Sequence, residues 1–367
     1  PFCARRCSYC DFSIAVRRVV PVHDFVTALE RELEARFGVL PVGADVSTRL
    51  ETLYFGGGTP SRLGGEGIAR AIEQVARRAR VDRDTEVTVE ANPEDVTPAM
   101  AAAWVQAGVN RVSLGVQSFD PRVLAWMHRT HDVAAVHAAA RTLREHGLTN
   151  WSLDLIYALP DEVERDWGRD LDEAIALEPS HVSAYGLTVE HGTPLARWRA
   201  RGDVHDASEE RFERDFLLAH ERLGAADFVH YEVSNWGRPG FASRHNSAYW
   251  RGVPYLGLGP AAHGFDGTAR RWNEREYVRW RATAMAGRDP VAGDEALTDA
   301  QRALEGAYVG LRTREGVEVT PRDAPLVERW IAQGWGRMEE ERLVLTAQGW
   351  LRLDALVAAL TEHRSRY

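Results

Sequence analysis

The chain has 367 residues, 44% hydrophobic and 27% charged, an ordinary globular composition that excludes a fibre, a disordered chain or a bundle of membrane spans. At ~100–200 residues per domain this length means two or three domains, or one α/β barrel with appendages. The net charge of −9 gives no broad positive field, so no nucleic-acid partner is expected, and no apolar run reaches the ~18–20 residues of a transmembrane segment.

All 45 basic residues are arginine, which excludes a Schiff-base lysine and a Walker-type phosphate loop. The three cysteines all lie within residues 3 to 10. An odd, clustered set is a poor disulfide framework and points to a reducing compartment, so a cytoplasmic location is expected. Pro1 is not a start methionine and no signal-peptide pattern follows it, so the chain is expected to have lost a preceding segment.

Along the chain, short apolar runs alternate with amphipathic segments up to about residue 190. Strands are predicted at Glu51–Phe55, Glu86–Glu90, Arg111–Val116, Trp151–Ile156 and His181–Leu187, all without polar alternation, as in buried parallel sheets. Helices are predicted at Val22–Phe37, Gly67–Ala79, Pro98–Ala107, Val133–His146 and Arg165–Leu177, with Gly108 and Gly147 as stop signals. This alternation predicts an α/β fold whose ligands sit at the carboxyl ends of the strands. Further on come a helix at Ser208–Leu223, a strand at His230–Val233 and an aromatic, glycine-rich stretch from Asn235 to Phe265 with little periodicity. From about Leu297 the pattern reads helix, helix, hairpin, helix, a winged-helix-like α+β unit with no basic stripe for DNA. The expected divisions are 1–190, 191–295 and 296–367.

Cys3, Cys7 and Cys10 form a C-x3-C-x2-C pattern of soft thiol ligands. Three readings are open from the spacing: three corners of a [4Fe–4S] cluster, a zinc site, or three core cysteines on one helical face. No fourth cysteine exists to close a zinc site, and His23 lies outside the usual ligand spacing.

The stretch Pro1-Phe-Cys-Ala-Arg-Arg-Cys-Ser-Tyr-Cys10 resembles the signature of radical S-adenosylmethionine (SAM) proteins. The resemblance implies a [4Fe–4S] cluster on Cys3, Cys7 and Cys10, with SAM chelating the fourth iron, on a partial (β/α)6 barrel. Family members carry a strand before Pro-Phe-Cys, so the first strand is expected to be missing here. Tyr54-Phe-Gly-Gly-Gly-Thr-Pro-Ser61 follows a strand, and its glycines permit close backbone approach to a ligand. Thr59 before Pro60 reads as a helix N-cap. By resemblance Gly57, Gly58 and Thr59 meet the methionine end of SAM. Glu90 ends a strand, where a solvated loop acid is the plain alternative, and Arg129 offers a planar fork for a carboxylate. Gln117 ends the next strand, and Asp154 is an acid inside an apolar strand that requires a donor partner. The resemblance places Glu90 and Arg129 at the amino-acid end of SAM, Gln117 and Asp154 at its ribose, and Tyr9 near its adenine.

The resemblance extends over nearly the whole chain and is closest to the oxygen-independent coproporphyrinogen III oxidase group, in particular its HemW-type heme chaperones. The oxidase pattern has a further cysteine where this chain has Phe12, and Arg244-His-Asn-Ser-Ala-Tyr-Trp250 carries the His-Asn-x-x-Tyr-Trp motif of the chaperone branch. That implies heme as a ligand, His245 as its axial donor, and a heme-accepting partner protein. His263 is a rival donor in a loop where Ala261 stands in place of a family glycine. Arginines mixed with aromatics at 197–201 and 270–281 suit propionates or, more commonly, surface cation–π packing. A radical porphyrin-modifying enzyme and a zinc-stabilised binding protein are the competing expectations.

Overall fold

A computed structural model describes residues 1–38 and 48–365 of the chain. Its main sheet has seven strands in the spatial order 52–55, 86–91, 111–117, 151–157, 181–186, 235–237, 229–232. The first five are mutually parallel, and the last two run antiparallel to strand His181–Gly186 and to each other. All five predicted parallel strands are present within a residue or two of their expected ends, and the sheet curls into a half-barrel. It does not stop at residue 190, because the strand predicted at His230–Val233 lies at Val229–Glu232 and joins the same sheet.

The four parallel strands after the half-buried Thr52–Phe55 are buried along most of their length, as strands covered on both faces are. Val112, Leu114, Leu153, Leu155 and Val182 belong to the apolar core shared with the helices. Their strand neighbours Ser113, Asp154 and Ser183 line a cavity on the concave face. The helices end where the sequence punctuates them: Thr97, Asp132 and Ser208 accept backbone N–H groups as N-caps, and Gly108 takes the left-handed conformation at φ 93°.

Two features depart from expectation. The aperiodic stretch after residue 235 contains a helix, Arg244–Trp250, and the first strand of a three-stranded antiparallel sheet, 263–265, 269–273 and 291–296. Its middle strand, Ala-Arg-Arg-Trp-Asn, shows no apolar alternation: four of its side chains are only partly buried and the buried one, Asn273, is polar. The C-terminal unit has the expected helix, helix, hairpin and helix, with Val317–Glu318 adding a third strand beside Arg342–Leu345.

Candidate functional site

The cysteine segment is a loop closed by a parallel pairing of Phe2–Cys3 with Ala15–Val16. None of the three cysteines is helical, so the reading of a buried helical face is overturned: only Cys3 is buried, at 8% exposure. All three are free thiols lining one cavity of about 490 Å³ at the carboxyl ends of the parallel strands. Burial raises the Cys3 thiol and lifts Cys10 to about 11. Among the described residues no group of three or more His, Cys, Asp or Glu side chains is arranged to hold a metal ion. Three soft donors on one loop suit a cluster that leaves one iron open, whereas a structural zinc takes four closed positions.

The same cavity is lined by Tyr9, Gly57, Gly58, Thr59, Glu90, Gln117, Arg129 and Asp154, so one site gathers every side chain singled out for SAM. Gly58 has to be glycine: a Cβ there would sit 2.9 Å from the Pro1 carbonyl carbon and 3.2 Å from Cys3 Sγ. Thr59 precedes a 3-10 turn, Pro60–Leu63, and makes no capping bond. Its hydroxyl lies 3.2 Å from Cys3 Sγ instead, tying the glycine loop to the cysteine loop.

Glu90 is no solvated loop acid. It accepts the Tyr54 hydroxyl at 2.7 Å and the Gly57 N–H at 3.0 Å, and burial pushes its carboxyl up to about 7. Asp154 has the partners its position demands, accepting Ser113 Oγ at 2.9 Å and Ser152 Oγ at 3.3 Å. Gln117 takes a left-handed φ of 71° beside a register shift, a conformation that turns the chain over the cavity as the strand ends. Arg129 donates to Asn92 Oδ1 at 2.6 Å, to the Gly115 carbonyl at 2.7 Å and to Cys7 Sγ at 3.4 Å, while its buried Nε–H has no partner. The guanidinium also borders the cavity, where its positive charge can pair with a carboxylate. Tyr9 packs beside Val123, Met127 and Ile156, an apolar wall suited to a flat ring.

His245 lies apart from this lining, although its neighbour Asn246 contributes to it. Helix Arg244–Trp250 sits under the amino ends of the first two strands, where Glu86 accepts the backbone N–H of Arg244 at 3.1 Å and of His245 at 3.0 Å. The imidazole pairs through Nδ1 with Thr52 Oγ1 at 2.8 Å and through Nε2 with Tyr249 Oη at 2.9 Å. Burial lowers it to about 4, so it is neutral at physiological pH. His263 is exposed, and its ring lies against Trp272. The arginines at 199, 201, 270, 271 and 281 are ion-paired with Asp206, Asp203, Glu305, Asp289 and Asp24, so surface cation–π packing is not what occupies them.

Sequence reasoning missed Arg111, Ser113, Ser183 and Tyr54 on the cavity wall. Counting back by twos from Gln117 reaches Ser113 and Arg111, and that strand periodicity was the available signal.

Residues 1–174 match the Radical SAM superfamily. The chain is 40% identical over 366 residues to the heme chaperone HemW of Mycobacterium tuberculosis strain H37Rv, covering 98% of this chain and 93% of that protein. It is 35% identical over 326 residues to the Synechocystis heme chaperone HemW, covering 86% and 77% of the two chains. In fold it is similar to the Escherichia coli coproporphyrinogen III oxidase HemN, with a TM-score of 0.80 at 20% identity over 98% of this chain and 88% of that one.

Proposed function

The chain belongs to the radical SAM superfamily and, within it, to the HemW heme chaperones, and from that premise we propose that it binds a [4Fe–4S] cluster, SAM and heme and delivers the heme to an acceptor protein. The observation that carries this reading is the separation of two sites. The three thiols and the SAM-directed side chains share one cavity, and the imidazole of the His-Asn-x-x-Tyr-Trp motif is held outside its lining.

In the cavity Cys3, Cys7 and Cys10 hold the cluster. Glu90, with Gly57 and Gly58, receives the amino group of SAM, and the Arg129 guanidinium pairs with its carboxylate. Asp154 and Gln117 take the ribose and Tyr9 the adenine. When bound, the cluster supplies an electron to the sulfonium of SAM.

At the second site His245 is held between two hydroxyls, Thr52 at Nδ1 and Tyr249 at Nε2; the tautomer whose Nδ1–H donates to Thr52 keeps the Nε2 lone pair for an iron. Tyr249 is 37% exposed, and its hydroxyl is the group that an iron at Nε2 would displace. Residues 1–190 then supply the parallel strands of the SAM barrel, 191–295 its two antiparallel edge strands and the heme-bearing extension, and 296–367 a winged-helix-like unit. Three free thiols suit a reducing compartment, which for this protein is the cytoplasm. Among the described residues no helix is long and apolar enough to cross a membrane.

The test offers heme and coproporphyrinogen side by side to the anaerobically reconstituted protein, with SAM and a reductant. Stoichiometric heme binding that weakens in His245→Ala, with coproporphyrinogen unchanged, supports the chaperone reading. Formation of protoporphyrinogen replaces it with a radical oxidase. Stoichiometric zinc in place of iron and sulfide after anaerobic purification removes the cluster.

A further inference from the structure

The two sites touch through one side chain. The Tyr54 ring stacks on the His245 imidazole, with centroids 4.7 Å apart and planes inclined by 14°. The hydroxyl of the same residue donates to Glu90 Oε1 at 2.7 Å. Thr52, two residues back and therefore on the same face of the strand, holds the Nδ1 edge of that imidazole. On the neighbouring strand Glu86 and Glu90 also share a face, the first anchoring the backbone of His245 and the second facing the cavity. A two-strand element thus carries the imidazole at its amino end and the SAM-directed carboxylate at its carboxyl end.

We propose that Tyr54 is a positioning residue shared by the two sites, so that SAM at Glu90 and heme at His245 bind with linked affinities. The proposal rests on the heme-chaperone reading above. With the cavity empty, the phenol donates to a buried Glu90 carboxyl that also accepts the Gly57 N–H and whose proton affinity burial raises. An amino group brought to Glu90 fixes the carboxylate form, and the Tyr54 bond becomes charge-assisted. The phenol ring is then held in the plane that stacks on the imidazole, with Nε2 kept outward. Heme therefore binds more tightly to the SAM-loaded protein. By linkage, SAM binds more tightly to the heme-loaded protein by the same factor.

The experiment measures heme affinity, and the Soret signature of imidazole ligation, with and without saturating SAM in the anaerobically reconstituted protein. The wild type is expected to bind heme roughly five-fold or more tightly with SAM, the lower end of ordinary allosteric coupling. Tyr54→Phe keeps the ring and loses the hydroxyl. It is expected to bind each ligand alone while the ratio falls to about one. Tyr54→Leu, which also loses the stack, is expected to weaken heme binding even without SAM. An unchanged ratio in Tyr54→Phe, or no SAM effect in the wild type, overturns the proposal. Heme affinity insensitive to His245→Ala is a separate result and overturns the assignment of the ligand on which the proposal stands.

Discussion

Glu90 Oε2 accepts the backbone N–H of Gly57 at 3.0 Å, joining the end of one strand to the glycine turn that follows its neighbour. The pair builds a concave receptor for an amino group, and its carboxylate is buried enough to titrate near pH 7 instead of at the ordinary glutamate value of 4.5. Because the binding form is the ionised one, SAM affinity should rise as the pH is raised from 6 to 8 and level off above that. Stability runs the other way. A carboxyl raised in the folded state leaves the folded protein holding more protons than the unfolded chain between 4.5 and about 7. Its contribution is fully present below 4.5 and is lost as the pH climbs through 7. Glu90→Gln should therefore lose SAM affinity and its pH dependence while raising the melting temperature of the ligand-free protein more at pH 8 than at pH 5. Calorimetry at the two pH values checks both halves, and a variant that melts lower at pH 8 refutes the second.

Arg129 should not tolerate lysine. Its guanidinium spans Asn92, Gly115 and Cys7 and still has an Nε–H without a partner, whereas an ammonium is a single point of charge. Losing one charge-assisted bond of ~1.5–3 kcal/mol predicts a fall in SAM affinity of roughly ten-fold or more in Arg129→Lys. Equilibrium binding of SAM reads this directly, and an affinity within two-fold of wild type would falsify the assigned role.

The cavity was legible in the sequence because each of its chemical side chains stands at a strand end or in a turn, where apolar periodicity breaks off: Glu90, Gln117, Arg129 and the glycines. Asp154 stood out as a charge in an apolar run. What lay hidden was polar in a quieter way. Ser113 and Ser183 read as ordinary strand residues, and Arg111 as a strand start, because the apolar pattern of a buried parallel strand does not alternate and only the strand-end Gln117 marks which face of its strand is wet. The link from Tyr54 to His245 spans about 190 positions and depends on a helix that the aperiodic stretch after Asn235 did not announce. The helical start expected after Thr59 is present as a 3-10 turn, but without its capping bond, because the Thr59 hydroxyl is committed to Cys3.

Glu32 shows the same limit away from the cavity. It is completely buried in helix Val22–Phe37 and accepts from the Gly259 N–H, Asn273 Nδ2, Trp280 Nε1 and Arg36 Nη1. Those partners bind the first helix to the extension, and sequence gave no reason to join them. Glu32→Ala leaves the Gly259 N–H and Trp280 Nε1 without a partner and takes the counter-charge from Arg36, although Arg36 keeps the Gly257 carbonyl and Asn273 the Gly259 carbonyl, for an expected loss of about 3 kcal/mol or more. Urea unfolding followed through tryptophan fluorescence, to which Trp280 contributes, measures it. A loss below 1 kcal/mol would mean that water replaces the carboxylate.

Ala261 carries the last prediction, because its backbone conformation suits glycine better than alanine. Its φ is +58°, the left-handed region in which a Cβ crowds the carbonyl oxygen at a cost of roughly 1–2 kcal/mol. The conformation is imposed by the strand that follows: the Ala261 N–H donates to the Glu274 carbonyl at 2.9 Å and the Asn273 N–H to the Ala262 carbonyl at 3.0 Å. Glycine would relieve the crowding and give back part of the gain as unfolded-state entropy, so Ala261→Gly should stabilise the protein by about 0.5–1 kcal/mol. A β-branched residue deepens the clash, and Ala261→Val should destabilise by more than Ala261→Gly stabilises. Both are read as shifts in the urea midpoint at constant slope, and a destabilised glycine variant would show that the turn is held by the alanine methyl and not in spite of it.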